Sequence, residues 1–288
     1  MILSMTGFAA VARELPGVSL AVEVRSVNHR YLDLSIRLPD ELRGLESALR
    51  ERIAGAQKRG KVECRVALAR NTPGAAEIAI DVARVAQLTR AADDIRRHAP
   101  SAPPLTTGEI LRWPGVLAEP AVEPEALVRE VQSLLTQALA DLADSRSREG
   151  AKLVSILEER CAAIDTQIAR VAPRIPALHA AYLDKLGGRL REAGLDPDHE
   201  RLKQELALFA TRIDVAEEIS RLTTHVSEVR RVLRAGGAAG KRLDFLMQEL
   251  HREANTLGSK SVDAELSQVS LELKVLIEQM REQVQNLE

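Results

Sequence analysis

Alternating apolar and polar residues mark strands in the first seventy positions. Leu20, Val22 and Val24 alternate with polar neighbours, and a second alternating run covers residues 32–38. A turn at residues 28–30 lies between the two runs, which predicts that they pair as an antiparallel hairpin. Apolar residues at helical spacing then precede a third alternating run, so the predicted order is strand, strand, helix, strand, with a further short strand near residues 77–80.

Helical periodicity dominates the rest of the chain. Asp81 is placed to cap a helix that reaches about His98. A long amphipathic run starts near residue 125 and continues past Gly150 to Val171. Further helices are predicted at about residues 198–234, 241–257 and 261–287.

The change of pattern near residue 124 predicts two domains in an α+β fold. Residues 1–124 should form an α+β domain with a small antiparallel sheet, ending in a long ordered loop at the proline-rich residues 100–124. Residues 125–288 should form a mainly helical, partly coiled-coil domain. Three Phe, two Tyr and one Trp supply few aromatic groups, which favours helix packing over an all-β fold.

Composition also limits the compartment and the chemistry. The sequence has no apolar run long enough to cross a membrane and no basic start followed by an apolar run, so we expect the chain to stay in the cytoplasm. Its two cysteines, Cys64 and Cys161, lie far apart without metal-ligand spacing. They are therefore expected to be buried small side chains and not part of a disulfide or a zinc site.

Charge is distributed unevenly although the net charge is only −2. Residues 25–65 carry ten basic and six acidic side chains, whereas residues 241–288 carry six basic and nine acidic ones. Basic and polar side chains at the predicted turns of the front half could contact phosphate, or could simply be solvated turn residues. These side chains belong to Arg25, Asn28, His29, Arg30, Arg59 and Lys61.

Two carboxylate clusters in the helical half could carry chemistry. Asp214, Glu218, Arg221 and His225 follow one another at steps of four, three and four, which places them on one helix face. In the second cluster, Glu249 and Glu253 lie one turn apart, so both carboxylates could point at one cation. The alternative is that both stripes are solvated helix faces held by ion pairs, and that His225 is a surface residue.

Several separated segments resemble the YicC/YloC family of bacterial endoribonucleases. In the front half the resemblance rests on residues 4–8, 24–33 and 59–62. In the back half it rests on residues 214–222 with His225, and on residues 240–246, 248–249, 252–256, 259–260 and 281–288. The resemblance extends over essentially the whole chain. It implies a single-strand-directed endoribonuclease that depends on a divalent metal and assembles as a ring-like homohexamer.

Combining the resemblance with phosphoryl chemistry gives an expected role for each residue. Glu218, Glu249 and Glu253 would hold Mn²⁺ or Mg²⁺, with His225 as ligand or acid/base. Positive groups would neutralise or orient the phosphate: Arg221, Arg252 and Lys260, with Asn255 as a polar partner. The basic front residues named above would guide RNA by backbone contacts, with aromatic stacking limited to residues such as Tyr31.

A different class of function explains the same residues. The chain could be a non-catalytic RNA-binding or adaptor oligomer that delivers RNA to another RNA-decay enzyme. Its carboxylates would then be ion-pair partners of Arg221, Arg242 and Arg252. Loss of cleavage without loss of assembly in carboxylate variants would separate the two hypotheses.

Overall fold

Four strands form one mixed sheet in the computed structural model, which describes residues 1–70, 80–117, 123–192, 194 and 200–288. The strand order in the sheet is β1-β2-β4-β3. β3 and β4 run parallel, with Leu34 opposite Val62. The strands are β1 (Gly7–Leu15), β2 (Val18–Val27), β3 (Leu32–Arg37) and β4 (Gly60–Arg70).

The predicted hairpin between residues 18–27 and 32–38 is wrong. β2 lies between β1 and β4, and β3 pairs with β4 at the far side of the sheet. Only Pro16 and Gly17 connect β1 to β2, and a connection this short joins antiparallel strands in a hairpin. Gly17 has a positive φ of 83°, as tight hairpin turns require. Alternation identifies the buried face of a strand without identifying its neighbour, so the unpredicted strand β1 supplies the hairpin partner.

One face of the sheet is buried and the other faces solvent. Along β2, the apolar side chains of Leu20, Val22 and Val24 are fully buried, whereas Arg25 is exposed. Buried side chains also come from α1 (Glu46–Ala56), which forms the crossover from β3 to β4. This packing confirms the α+β class. The sheet is mixed, however, and not antiparallel as predicted, because the crossover through α1 makes β3 and β4 parallel.

Helices make up the remainder of the described residues. The predicted cap is confirmed, since the Asp81 side chain accepts a hydrogen bond from the Arg84 amide at 2.9 Å. The predicted long helix through Val171 is also confirmed. The helix bounds are α2 (Val82–His98), α3 (Thr107–Arg112), α4 (Pro124–Val171), α5 (Ile175–Glu192), α6 (Glu200–Ile213), α7 (Ala216–Ala235), α8 (Gly240–Lys260) and α9 (Ala264–Val284).

Two helical predictions need correction. The proline-rich loop contains the short helix α3, whose capping box joins Thr106 and Glu109. The predicted helix near residues 198–234 is two helices, because the chain breaks at Asp214 before α7 begins. The start of that prediction, and most of the short strand near residues 77–80, lie outside the described residues; Ile80 itself forms an isolated bridge with Leu117.

Contacts divide the chain into two compact units. The helical unit contains Met1–Phe8, Ser26–Tyr31 and Leu142–Glu288, and the sheet unit contains Ala9–Arg25 and Leu32–Asp141. The core of the helical unit joins the later part of α4 with α7, α8 and α9 through fully buried aliphatic side chains such as Leu157, Leu222, Leu250 and Leu273. None of the described helices is long and apolar enough to cross a membrane.

The first residues of the chain pack inside the helical unit. Ser4 donates a backbone hydrogen bond to Arg146 at 3.0 Å, and Glu288 donates one to Leu3 at 2.8 Å. The Arg146 side chain is buried, where its Nε donates to the Ser4 carbonyl oxygen and its Nη2 pairs with Glu288. Gly150 on α4 lies so close that a Cβ there would overlap the Ile2 carbonyl oxygen.

Both cysteines are buried, as predicted, and both are free thiols. Burial raises the pKa of the Cys64 thiol to about 11. Burial also raises the pKa of the Cys161 thiol to about 12. Neither thiol is therefore ionised near neutral pH.

Candidate active site

The two predicted carboxylate clusters meet along the antiparallel pair α7 and α8. Arg221 on α7 contacts Glu253 on α8, and Glu228 on α7 pairs with Arg242 on α8. Hydrogen bonds, first from Arg231 and then from Arg242, hold the pKa of Glu228 at about 2. These pairs show that the start of α7 lies beside the end of α8, away from the glycine turn that joins the two helices.

Glu218 is the most buried carboxylate of the first cluster. Its side chain is 8% exposed, and its Oε1 lies 2.8 Å from Lys260 Nζ. Within the described part of the chain, its other oxygen, Oε2, is buried and has no hydrogen-bond partner. A buried acceptor without a partner is costly, so this oxygen is a natural position for a cation or a hydrogen-bond donor.

Lys260 is held by two elements at once. Besides Glu218, its Nζ donates to the backbone carbonyl oxygen of Asp214 at 3.0 Å. Asp214 is therefore not part of the helical stripe that its spacing predicted: it precedes α7, and its Oδ1 accepts a hydrogen bond from the Ala216 amide at 2.9 Å. The break in the helix turns this carbonyl toward the lysine.

Arg221 links both carboxylate clusters. Its Nη1 lies 3.4 Å from Glu253 Oε1, and its Nη2 donates to Glu217. The hydrogen bond to Glu217, followed by that to Glu253, raises the pKa of Arg221. The Glu253 side chain is 5% exposed, whereas that of Arg221 is 55% exposed, so the guanidinium is accessible to a phosphate from solvent. We call Glu218, Arg221, Glu253 and Lys260 the α7–α8 charged cluster.

Glu249 and His225 lie next to this cluster along the helix pair. Glu249 is one turn before Glu253 and forms an ion pair with Arg252 at 3.0 Å. The register set by Arg221 with Glu253 places His225 level with Glu249 across the helix pair. Both side chains are half-buried. Asn255 faces another direction, since its Oδ1 accepts a hydrogen bond from Lys274 of α9 at 2.9 Å.

The predicted RNA-binding residues of the front half belong to different units. Asn28, His29 and Arg30 are exposed residues of the helical unit, as parts of the loop after β2. Asn28 Nδ2 donates to the Gln285 carbonyl oxygen at 2.7 Å, and His29 Nδ1 donates to the Tyr31 carbonyl oxygen at 2.9 Å. The sheet unit contains the others, Arg25, Arg59 and Lys61.

On the sheet unit, two of the three predicted basic residues lie on the solvent face. Arg25 and Lys61 are exposed on β2 and β4, and Lys61 lies 3.9 Å from Glu63. Arg59 is half-buried just before Gly60, whose φ is 102°. Acidic side chains therefore share this face with the basic ones.

Comparison with known proteins identifies the family. A model described as "Endoribonuclease YicC-like, N-terminal region" matches residues 2–155, and one described as "Endoribonuclease YicC-like, C-terminal" matches residues 171–288. The chain belongs to the YicC-like endoribonuclease family. A "Probable endoribonuclease YicC" of Haemophilus influenzae is 40% identical over 288 residues, and one of Clostridioides difficile is 30% identical over 296 residues. Both alignments cover 100% of each chain.

Each of the two YicC-like regions contains one of the candidate sites described above. The loop at residues 28–31 falls in the N-terminal match, and the α7–α8 charged cluster falls in the C-terminal match. The boundary between the matches, residues 155–171, lies inside α4. The resemblance inferred from the sequence motifs is thus confirmed over the whole chain.

The predicted ligands Glu218, Glu249 and Glu253 of this YicC-like chain can be compared with what a divalent cation requires. Among the described residues, no three His, Cys, Asp or Glu side chains converge as a metal site. Glu249 is paired with Arg252. Glu218 is buried beside Lys260 and Glu253 beside Arg221, and Glu218 Oε2 has no hydrogen-bond partner among the described residues. Mg²⁺ needs only one or two carboxylates when water and substrate phosphate complete its shell. Glu218 and Glu253 are the two buried carboxylates that such a mode of binding would use.

Proposed function

We propose that this protein is an endoribonuclease that cleaves single-stranded regions of RNA with a divalent cation, Mn²⁺ or Mg²⁺, and contributes to RNA turnover. The reacting centre would be the α7–α8 charged cluster. The observation that carries the proposal is the burial of Glu218 and Glu253 on facing helices, with one carboxylate oxygen of Glu218 left without a partner in the described chain. Names of full-length relatives, "Probable endoribonuclease YicC", support RNA as the substrate.

The proposal gives each residue of the α7–α8 charged cluster a role. Glu218 and Glu253 would hold the cation, which supplies a Lewis acid for the phosphoryl oxygen. Arg221, more than half exposed, would bind a phosphate oxygen of the strand and neutralise the charge that develops on it. Lys260 would hold Glu218 in place and offer a second positive charge to the phosphate.

His225 is the candidate for proton transfer. Its level on α7 matches that of Glu249, and in the proposed mechanism this carboxylate would orient the imidazole. If the 2′-hydroxyl of RNA is the nucleophile, His225 would accept its proton while the P–O5′ bond breaks. The products would be a 2′,3′-cyclic phosphate and a 5′-hydroxyl, which takes up a proton as it leaves. If water is the nucleophile, the product would carry a 5′-phosphate and His225 would be less important.

The basic residues of the front half would guide RNA by contacts with its backbone. Arg25, Arg59 and Lys61 would act on the sheet unit and Arg30 on the helical unit. Charge reversal at Arg30 and Lys61 should weaken binding at low salt and flatten its salt dependence. We also propose that the protein acts as a homo-oligomer, a hexamer by its family resemblance, and mass measurement in solution tests this.

The experiment uses an end-labelled RNA hairpin with a single-stranded tail, incubated in Mn²⁺, Mg²⁺ or EDTA. Glu218→Gln and Glu253→Gln should each lower cleavage by at least about 100-fold, while RNA is still retained in a gel shift. Glu278→Gln on α9 is the matched control, because it changes an exposed glutamate in the same unit. Cleavage that survives both buried-site changes would place the chemistry elsewhere.

A second candidate is favoured by the ion pairs themselves. Arg221, Arg242 and Arg252 each contact a carboxylate of α7 or α8, as expected if the charges only hold the helices together. The protein would then be an RNA-binding adaptor that delivers RNA to another decay enzyme. Wild-type protein that shifts RNA but cuts it in no metal would support this function.

A further inference from the structure

A short loop of the helical unit presents an aromatic ring beside a cation. Tyr31 is 65% exposed, in a chain with only six aromatic residues. The guanidinium carbon of Arg30 lies 5.2 Å from the centre of the Tyr31 ring. Arg30 therefore covers one face of the ring by a cation–π contact and leaves the remainder of the ring accessible to solvent.

The loop is held in place by hydrogen bonds on both sides of the arginine. Asn28 Nδ2 donates to the Gln285 carbonyl oxygen at 2.7 Å, and His29 Nδ1 donates to the Tyr31 carbonyl oxygen at 2.9 Å. Just before the loop, the buried Ser26 hydroxyl donates to the Met5 carbonyl oxygen at 2.9 Å. Because the backbone is already anchored, a ligand that stacks on Tyr31 loses little affinity to loop ordering.

The surroundings of Tyr31 favour a nucleic acid over an apolar partner. The three residues that precede it, Asn28, His29 and Arg30, are all exposed, and each carries hydrogen-bond donors or a positive charge. An aromatic face next to a guanidinium matches a base with its adjoining phosphate. Single-stranded nucleic acid is recognised in this way, since every unpaired base has a face that can stack.

We propose that Tyr31 and Arg30 form a stacking subsite for one unpaired base of the RNA strand. The base stacks on the accessible face of the Tyr31 ring, and the Arg30 guanidinium contacts the phosphate next to that base. A base inside a duplex cannot present its face to the ring, so this subsite selects single-stranded RNA before any cleavage occurs. The proposal rests on the proposed RNA-directed function and adds a specificity-determining contact to it.

The test is a double-mutant cycle between protein and RNA. The probe is a single-stranded 2′-O-methyl oligonucleotide of one fixed sequence. Its Kd for the full-length protein is compared with those of a set of oligonucleotides that each lack one base. Tyr31→Ala should weaken binding about 5- to 150-fold, the usual effect of losing one stacked base. Tyr31→Phe keeps the ring and should stay within about twofold of wild type.

The abasic set locates the contact. For wild-type protein, one abasic position should weaken binding by about the same factor as Tyr31→Ala. For the Tyr31→Ala variant, that position should have no further effect, because the ring that read the base is gone. Phe245→Ala is the matched control: Phe245 is 58% exposed in the same unit, and its loss should leave binding unchanged.

Salt dependence separates the ring from the guanidinium. Tyr31→Ala should leave the slope of log Kd against log salt unchanged, whereas Arg30→Ala should lower it by about one, as expected for one phosphate contact. Equal losses for Tyr31→Phe and Tyr31→Ala, or the same loss at every abasic position, would overturn the subsite. Wild-type protein that binds and cuts RNA while Tyr31→Ala binds equally well would overturn the subsite alone; wild-type protein that binds no RNA would overturn the proposed function as well.

Discussion

Replacing Lys260 by methionine measures how strongly the buried Glu218 depends on its cation. Methionine keeps an unbranched stem but removes the ammonium group that lies 2.8 Å from Glu218 Oε1. The Glu218 side chain is only 8% exposed, and its second oxygen has no hydrogen-bond partner within the described residues. The variant therefore leaves a buried carboxylate without a compensating charge, and we expect the free energy of unfolding to fall.

The size of the effect follows from the burial of the pair. Removing one partner of a fully buried ion pair costs about 3–5 kcal/mol. Lys260 is 28% exposed, so water screens the pair and lowers this loss to about 2 kcal/mol. The lost hydrogen bond from Lys260 to the Asp214 carbonyl oxygen adds about 1 kcal/mol. A total of about 3 kcal/mol corresponds to a Tm about 6–12 °C lower for a unit of this size.

Thermal and urea unfolding of four proteins would measure this coupling: wild type, Lys260→Met, Glu218→Gln and the double variant. We expect the double variant to be more stable than the sum of the two single losses predicts, by about 1–2 kcal/mol. Lys241→Met is the matched control, because Lys241 is an exposed lysine at the other end of α8. Strictly additive losses, or a Lys260→Met variant as stable as the control, would refute the reasoning.

Three further predictions concern stability and reactivity. Gly150→Ala should lower the free energy of unfolding, measured in urea, by about 1–3 kcal/mol, because the new Cβ overlaps the Ile2 carbonyl oxygen. The control is Gly188→Ala on α5, where a Cβ meets open space, and this change should be neutral or slightly stabilising. Glu228 has a pKa of about 2 in the folded protein, below its unfolded value of about 4.3. Its carboxylate therefore contributes fully to the free energy of unfolding above about pH 4.3, and this contribution is lost as the pH falls toward 2. The Tm difference between wild type and Glu228→Gln should shrink between these two pH values. The thiols of Cys64 and Cys161 should resist iodoacetamide at pH 7.5 until the protein is denatured, and rapid labelling of the native protein would contradict their burial.

The positions of strands and helices followed from periodicity, but their partners did not. The helix cap at Asp81 and the run through α4 were predictable because both depend on residues close in sequence. The strand β1 was missed because only one of its nine residues, Ala9, is buried, so the strand lacks an alternating apolar pattern. Without that strand, the alternating runs on either side of residues 28–30 had no other obvious neighbour.

The burial of the two key carboxylates could have been predicted from the sequence. Glu218 lies four residues before the buried Leu222, and Glu253 lies three residues after the buried Leu250, so both continue apolar stripes of their helices. Their ion pairs could not be predicted in the same way. Lys260 reaches Glu218 and Asp214 only because α7 and α8 are antiparallel and because the chain breaks before α7, and both facts belong to tertiary packing.

The meeting of the first and last residues affects the order of folding during synthesis. Leu3 receives a backbone hydrogen bond from Glu288, so the helical unit contains contacts between residues almost the full chain apart. The contacts of the sheet unit lie within residues 9–141, so this unit can form before α7, α8 and α9 have been synthesised. The helical unit can be completed only after residue 288 has emerged from the ribosome. Until then the residues before β1 lack their contacts with the last residues.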